Sequence, residues 1–407
     1  MSKPSGVGYD AAMTREENSL NDFYRLDSKL TPDELVIRDS VADWVVQRFM
    51  PNVSKYWESG DLPRSIAPEL GALGVFGSGI DGYGAEALSP RMTGAIMREL
   101  ERGDSGLRTF ASVQSSLVMN AVSFYGTQNH KDAWLSQMRS GEKLGCFALS
   151  EPDYGSNPGG METLATRNGS GWILNGRKKW IGNGDIADVA VVWAKTVSGD
   201  PSSIRGFLVE TDRPGFEARL MSGKMSLRCA RTSELSFDRV SLPADALMEN
   251  SPSGLSGPLA CLNEARYGIA WGMVGASEAC LHEVRDYVLV RESFERPLAS
   301  FQLVQDKLAE MLTLTTHSHV LVDRLSELKA RGGNLSDQIS LAKYSNVDNA
   351  RRVAALGREL LGGVGILLEH CPMRHLINLE SVSTYEGTRD IHRLVLGRQM
   401  TGLQAFR

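Results

Sequence analysis

The sequence lacks long apolar runs: none reaches the roughly 18 residues that a helix needs to cross a bilayer. Its first twenty residues also lack an apolar core, and they carry three acidic side chains, Asp10, Glu16 and Glu17. Such a start fits neither a signal peptide nor an arginine-rich transit peptide. We therefore expect a cytoplasmic protein without membrane insertion.

Cysteine is scarce and positive charge is not in excess. The five cysteines are odd in number and scattered along the chain, which predicts reduced thiols and no disulfide framework. The formal net charge of -5 at pH 7 argues against a nucleic-acid partner. A hydrophobic content of 42% and a charged content of 23% are ordinary for a globular protein.

Signatures of hydrolytic and metal-dependent enzymes are missing as well. The chain contains no G-x-S-x-G, no Walker A loop and no H-E-x-x-H. His317 and His319 are two residues apart on a predicted helix, so they point to different faces. His370, Cys371 and His375 lie close together but have no second pair of ligands nearby. We therefore predict no metal site.

Helical patterns fill the first third of the chain. Thr31 is a predicted N-cap, with Pro32 in the first helical position and Glu34 completing a capping box. This helix should end near Phe49. Further helices are predicted at 90–102, 105–125 and 129–140.

The pattern changes to short strands and turns from about residue 146. The strand candidates are 171–174, 178–181, 189–195, 204–210 and 234–241. Asn175-Gly176 stands between the first two and predicts a tight hairpin. Strands at this spacing predict a compact antiparallel barrel or sandwich.

Long helical patterns return in the last third. They cover 260–291, 299–331, 336–361 and 389–401, and their broad apolar faces suit a four-helix bundle and an oligomer interface. The fold class is therefore α+β. Its predicted parts are an N-terminal arm 1–29, a helical domain 30–145, a middle β domain 146–255 and a helical bundle 256–407.

One carboxylate, Glu386, stands on a short polar connector (383–390) between two helical segments. Thr388 is the predicted N-cap of the second helix, and Asp390 lies in its first turn. Gly387 would let a ligand approach the backbone closely. The pattern alone leaves two interpretations open, a solvated loop and a functional carboxylate.

Five separated segments resemble the acyl-CoA dehydrogenase flavoprotein family, and they occur in the family's order. They are FALSEPDYGSN (147–157), KWIGN (179–183), RESF (291–294), ELLGG (359–363) and YEGT (385–388). Within that family, 104–108, 112–116, 265–271 and 384–406 are similar to glutaryl-CoA dehydrogenases. Segments 68–74 and 357–361 also resemble plant short-chain acyl-CoA oxidases.

The resemblance implies FAD, bound non-covalently between the β domain and the bundle, and a homo-oligomer, expected to be a tetramer, whose subunits share the site. Trp180 is implied to cover one face of the flavin. The residues implied to contact FAD are Phe147, Leu149, Ser150, Ser156, Trp180, Ile181, Gly182, Arg291, Phe294, Gln302, Glu359, Gly362, Gly363, Thr388, Asp390 and Phe406.

The activity implied by the resemblance is α,β-dehydrogenation of an acyl-CoA thioester, with electron-transfer flavoprotein or O2 as the oxidant. Glutaryl-CoA, oxidised and decarboxylated to crotonyl-CoA, is the implied substrate. Glu386 matches the base that removes the α-proton, and the flavin N5 accepts the hydride. Ala265 occupies the position from which some family members supply the base instead. A non-decarboxylating short-chain or specialised acyl-CoA dehydrogenase or oxidase is the alternative, and a non-catalytic family member is the other class considered.

Arg108 matches the arginine that binds the distal carboxylate in glutaryl-CoA enzymes, and a guanidinium fork suits that carboxylate. Glu101 is expected to orient it, whereas pairing with Asp104 on the surface is the alternative. The implied substrate contacts are Arg108, Thr109, Ser112, Ser156, Arg266 and Gly387.

Three positions depart from the family pattern. Gly182 replaces a threonine, and we expect its missing side chain to leave space for O2 near the flavin. Phe110 is bulky beside Arg108 and is expected to reshape the acyl pocket. Asn157 stands where an aspartate is usual.

Overall fold

The computed structural model describes residues 22–405, which form helical, β and helical parts in chain order. The helices are α1 (Pro32–Trp44), α2 (Val53–Ser59), α3 (Ala67–Ala72), α4 (Pro90–Gly103), α5 (Ser105–Ser112), α6 (Asn120–Tyr125), α7 (Gln128–Arg139), α8 (Ser256–Val290), α9 (Gln302–Ala330), α10 (Ser336–Leu360), α11 (Cys371–Val382) and α12 (Arg389–Thr401). The strands are β1 (Gly145–Ala148), β2 (Leu164–Asn168), β3 (Gly171–Gly182), β4 (Val189–Lys195), β5 (Ile204–Glu210), β6 (Phe216–Leu220), β7 (Thr232–Leu242), β8 (Glu292–Ser293) and β9 (Arg296–Pro297). The predicted three-part fold is confirmed.

The predicted start of the first helix is also confirmed. Thr31 Oγ1 accepts a hydrogen bond from the Glu34 N–H at 3.2 Å, and Glu34 Oε2 accepts one from the Thr31 N–H at 2.9 Å. A π-helical turn, Val45–Phe49, follows α1 where the helix was expected to end. Another π-helical segment, Val113–Met119, joins α5 to α6, so the predicted helix at 105–125 is continuous.

Part of the predicted N-terminal arm lies outside the described residues, which begin at 22. The described part of the arm is held to the helices by ion pairs. Asp27 Oδ2 accepts a hydrogen bond from Arg98 Nη2 at 2.8 Å, and Lys29 Nζ donates to Asp323 Oδ2 at 2.5 Å. These contacts attach residues 27–29 to helices α4 and α9.

The middle part is one curled sheet of seven strands in the order β1-β4-β2-β3-β7-β6, with β5 paired to β4. Most neighbours are antiparallel, as expected, but β4 is parallel to β1, with Gly145 opposite Val189, and to β2, with Leu164 opposite Lys195. Parallel neighbours need a long crossover connection, and β2 and β3 provide it here. The sheet is therefore mixed, a feature that the turn pattern did not reveal.

The predicted hairpin at Asn175-Gly176 is wrong, because β3 runs straight through it. Gly176 has φ 147°, and a Cβ atom there would lie 2.5 Å from Thr163 Oγ1. The pairing of β3 with β7 shifts register at this point, as it does at a β-bulge. Glycine is needed at 176 because the chain at Thr163 approaches it closely. The turn that leads into β3 lies at residues 169–170 and not at Asn175-Gly176.

All four helices predicted in the last third are present as α8, α9, α10 and α12, and their ends lie within four residues of the predicted ones. Helix α8 lies at the centre, because both α4 and α10 pack along it. None of the helices within residues 22–405 is long and apolar enough to cross a membrane. The connector between α11 and α12 returns to this central helix, which brings Glu386 beside residues of α5 and α8.

Candidate active site

The connector between α11 and α12 holds Glu386 in an uncommon backbone conformation. Its φ is 54°, in the left-handed region that non-glycine residues rarely adopt. Holding a residue other than glycine in this conformation costs about 1–3 kcal/mol. The predicted N-cap is present, since the Ile391 N–H donates to Thr388 Oγ1 at 3.2 Å. Gly387 follows with φ 99°, and a Cβ on it would lie 2.8 Å from His392 Nε2. Glycine is therefore required next to Glu386.

Glu386 is half-buried, and one oxygen of its carboxylate, Oε2, is fully buried without a hydrogen-bond partner among the described residues. Burial raises the pKa of Glu386, while the positive charges of Arg108, Arg266 and Lys343 act to lower it. The net result is a carboxylate more basic than an exposed glutamate, directed into the protein interior.

Two cationic side chains bind the main chain around Glu386. Arg266 on α8 donates Nε to the Glu386 carbonyl at 2.7 Å. Lys343 on α10 donates Nζ to the carbonyls of Tyr385 at 3.0 Å and Gly387 at 2.9 Å. Three successive carbonyl oxygens are thus bound by two helices.

Arg108 on α5 is fully buried and only partly paired. Its Nε donates to Glu101 Oε2 at 2.7 Å, which is the expected contact, and its Nη2 donates to the Tyr385 hydroxyl. Nη1 has no partner among the described residues. Asp104, the alternative partner, is instead 3.4 Å from Arg374 Nε.

Two hydroxyls from the same helix as Arg108 are also buried without partners in the described part of the chain. They are Ser112 Oγ and Thr109 Oγ1, of which the latter lies close to the Tyr385 hydroxyl without forming a well-aligned hydrogen bond. A buried polar atom without a partner costs about 1–3 kcal/mol, so such atoms mark places where a ligand group can bind. Together with Arg108 Nη1 they offer three polar contacts. Phe110 packs on Phe76 with ring centroids 6.1 Å apart, and its expected effect on the acyl pocket stays a prediction.

The residues implied to hold the flavin ring come together at β1 and the end of β3. The side chains of Phe147, Leu149 and Ile181 are buried, so this group presents main chain. The Lys179 N–H donates to the Ser150 carbonyl at 2.9 Å, which joins the end of β3 to the segment after β1. Ser156 is exposed on the connector that follows.

Trp180 lies at a second β-bulge in β3. The pairing with β7 shifts register between Lys178 and Ile181, and Trp180 has φ 67°. The bulge turns its ring outward, where it is 59% exposed. An exposed indole held at a β-bulge is a suitable surface for a planar aromatic ligand.

Gly182 is closely packed against Val113, and the expected room for O2 beside the flavin stays a prediction. A Cβ atom on Gly182 would lie 2.9 Å from Val113 Cγ2. Val113 belongs to the π-helical turn after α5 and is itself buried. The missing side chain is replaced by packing between the β sheet and the N-terminal helices.

Gly182→Ala should therefore lower the free energy of unfolding by about 1–2 kcal/mol, because the new methyl group overpacks against stiff Val113. Thermal or denaturant unfolding of the FAD-bound protein measures this. The double variant Gly182→Ala/Val113→Ala should recover part of the loss. A double variant no more stable than the sum of the two single changes contradicts the contact.

Most of the remaining residues implied to bind FAD are exposed, and Thr388 is half-buried. Exposed residues in this group are Arg291, Phe294, Gln302, Glu359, Gly362, Gly363 and Asp390. Phe294 is 87% exposed, and Glu359 pairs with Lys307 at 2.8 Å. Within residues 22–405 no hydrogen bond or ion pair joins this group to the group at β1. Phe406 lies outside the described residues.

Sequence reasoning missed Lys343 and gave no role to His392 or the Tyr385 hydroxyl. A signal for Lys343 exists: it stands four residues after buried Ile339 and four before buried Val347. A lysine on the apolar stripe of an amphipathic helix needs a buried partner, and the connector carbonyls supply it.

The fold and the site together define a helical–sheet–helical protein with a partly buried, basic carboxylate suited to proton abstraction. Sequence models of the acyl-CoA dehydrogenase N-terminal, middle and C-terminal domains match residues 31–142, 146–240 and 253–401. The chain belongs to the acyl-CoA dehydrogenase family.

Named relatives agree with this. The chain is 30% identical over 378 residues to an acyl-CoA dehydrogenase of Bacillus subtilis (strain 168), covering 92% of this chain and 99% of that protein. It is 28% identical over 409 residues to the human mitochondrial short-chain specific acyl-CoA dehydrogenase, covering 100% and 98%. A crystal structure of a glutaryl-CoA dehydrogenase from Mycobacterium smegmatis in complex with FADH2 is 47% identical, with a TM-score of 0.92 and coverage of 95% and 99%.

FAD is the cofactor of this flavoenzyme, as the reduced form in that related structure indicates. The residues present fit it. Trp180 offers an exposed aromatic face. At Gly362, with φ 62°, an added Cβ would meet nothing within 4 Å among the described residues, which leaves the main chain open to a phosphate.

Proposed function

We propose that the protein oxidises glutaryl-CoA across its α and β carbons and decarboxylates the product to crotonyl-CoA. The observation that carries this proposal is the buried Nη1 of Arg108, which has no partner among the described residues. Unpartnered hydroxyls of Thr109 and Ser112 lie on the same helix. A distal carboxylate would satisfy these groups, whereas the methyl end of a short fatty acyl chain would leave them unpaired.

Glu386 acts as the base for the α-proton in this proposal. A thioester α-proton is too weakly acidic for an ordinary carboxylate in water, so the base must be positioned and desolvated. Burial of Oε2 supports this role. The Glu386 N–H would donate to the thioester oxygen, and Gly387 leaves room for that oxygen to approach the backbone.

Bound FAD supplies the acceptor for the hydride that leaves the β-carbon. The segment around Ser150, the Trp180 ring and the main chain at Gly182 would hold its ring system. The exposed group at Arg291, Gln302 and Gly362-Gly363 would hold its phosphates. Since no hydrogen bond or ion pair joins these two groups within residues 22–405, we propose a homo-oligomer, as in a tetramer, in which neighbouring subunits complete each site.

Arg108 would bind the free carboxylate until the double bond has formed. Loss of CO2 then leaves an electron pair that is delocalised into the thioester, and a proton must be added to the γ-carbon. Glu386 holds the proton removed in the first step and can return it there. The guanidinium has Glu101 as a buried counter-ion, which fixes its orientation.

The experiment is anaerobic mixing of the yellow protein with glutaryl-CoA labelled with ¹³C in the free carboxylate. We expect bleaching of the flavin, followed by labelled CO2 and unlabelled crotonyl-CoA in equal amounts. Accumulation of glutaconyl-CoA, or faster bleaching by butyryl-CoA, would instead support a non-decarboxylating or short-chain enzyme. O2 is then admitted and peroxide is measured. Peroxide formation indicates an oxidase, whereas a dehydrogenase passes its electrons to electron-transfer flavoprotein.

A further inference from the structure

We propose that Lys343 is a positioning residue for Glu386, holding the connector in the conformation that directs the carboxylate at the substrate. The proposal rests on the proposed role of Glu386 as the base. Lys343 lies in α10 and does not contact the carboxylate through any recorded hydrogen bond among the described residues. It acts through the main chain on either side of it.

The contacts of Lys343 are few and specific. Its side chain is 1% exposed, and Nζ donates to the carbonyls of Tyr385 and Gly387, the residues before and after Glu386. Hydrogen bonds from a charged donor contribute about 1.5–3 kcal/mol each, more than a neutral pair. Two such bonds are enough to offset the cost of the left-handed backbone at Glu386.

A second helix completes the arrangement from the other side. Arg266 on α8 donates to the Glu386 carbonyl, and its Nη1 donates to Asn263 Oδ1 at 3.0 Å. The arginine is thus fixed by its own helix before it reaches the connector. Because Glu386 and Gly387 both have positive φ, the connector has no regular secondary structure to stabilise it. Lys343 and Arg266 supply that support.

Lys343 also contributes charge. Its pKa is lowered to about 7, because burial and the charges of Arg266 and Arg108 outweigh the opposite effect of Glu386 and Asp348. Its positive charge lowers the pKa of Glu386, as do the charges of Arg108 on α5 and Arg266 on α8. The remaining neighbours on this side are the Tyr385 hydroxyl and His392 of α12, whose pKa burial holds near 3, so the ring is neutral. Removing the lysine charge should therefore raise the pKa of Glu386.

The test compares Lys343→Met with wild-type holoenzyme by stopped-flow reduction of the flavin with glutaryl-CoA. We expect the limiting rate to fall about 100-fold, because a misplacement of about 1 Å is sufficient for such a loss. FAD content should be kept, and KM should change less than about threefold, since substrate binding is not removed. The rising limb of the pH–rate profile should move to higher pH.

Two further variants separate positioning from folding. Lys343→Gln keeps an N–H donor but removes the charge. It should therefore recover part of the rate, while its pH–rate profile stays shifted to higher pH. If Lys343→Met loses FAD, the comparison of Lys343→Gln with wild type tests the proposal instead. Asn346→Ala is the matched control. Asn346 lies one turn along α10, is buried, and donates to the carbonyls of Ala270 and Ser318, away from the connector. It should lower the melting temperature but leave the rate per bound flavin unchanged.

A Lys343→Met or Lys343→Gln enzyme that reduces its flavin at the wild-type rate with an unshifted pH profile overturns the proposal. So does an equal loss of rate in Asn346→Ala. Glu386→Gln is measured in parallel. If it alone abolishes reduction, the base assignment stands and only the role of Lys343 fails, whereas retained reduction in Glu386→Gln rejects the base assignment itself.

Discussion

We expect Glu386→Gln to lower the rate at which glutaryl-CoA reduces bound FAD by about 10³-fold or more, with FAD still bound. The amide has the same shape as the carboxylate but cannot accept the α-proton, so general-base catalysis is lost. The side chain makes no hydrogen bond within the described residues through Oε2, so the change should not disturb packing. Anaerobic stopped-flow absorbance of the flavin measures the rate, and the spectrum measures FAD content.

Glu264→Gln provides the matched control for this change. Glu264 lies on α8, next to Ala265, the position from which some relatives supply the base, and it pairs with Lys329 at 2.5 Å. We expect its loss to leave the rate of reduction unchanged. Retained turnover in Glu386→Gln, or an equal loss in Glu264→Gln, would remove Glu386 from the mechanism.

The pH dependence of the wild-type rate should also report the protonation state of Glu386. The base works only when it is deprotonated, so the rate is low below the pKa of Glu386 and rises to a plateau above it. Burial raises that pKa, which places the rising limb above the range of an exposed glutamate. In Glu386→Gln no such limb should be present in whatever rate is left.

Arg108→Ala should lower kcat/KM for glutaryl-CoA by about 10²–10⁴-fold, corresponding to the loss of two charge-assisted hydrogen bonds to the distal carboxylate. Butyryl-CoA has no such carboxylate, so its turnover should change far less. The ratio of the two kcat/KM values is the measurement. A general loss of folded enzyme lowers both values and leaves the ratio unchanged.

The alanine variant also leaves Glu101 as an unpaired buried charge, which can destabilise a protein by about 3–5 kcal/mol. Glu101→Gln/Arg108→Met removes both charges together and avoids that penalty. The double variant should show the same change in substrate ratio as Arg108→Ala, with better stability. Equal losses for glutaryl-CoA and butyryl-CoA in both variants would mean that Arg108 does not read the substrate carboxylate.

Local sequence patterns predicted those structural features that depend on residues close together in the chain. The capping box of Thr31 and Glu34 and the N-cap at Thr388 involve residues three apart, so their hydrogen bonds follow from spacing alone. The long C-terminal helices were likewise predictable from apolar periodicity. Asn175-Gly176 failed as a hairpin signal because glycine also serves close strand approach, and a local pattern cannot distinguish the two causes.

The sequence by itself therefore determined the helical–sheet–helical order, the helix starts at Thr31 and Thr388, and the short connector that carries Glu386. Only the tertiary structure decided what that carboxylate meets. Arg108 contacts Tyr385 across 277 residues, and Lys343 contacts the same residue across 42. Burial of Oε2 depends on how three helices pack around the connector, and periodicity within any one helix holds no information about that packing.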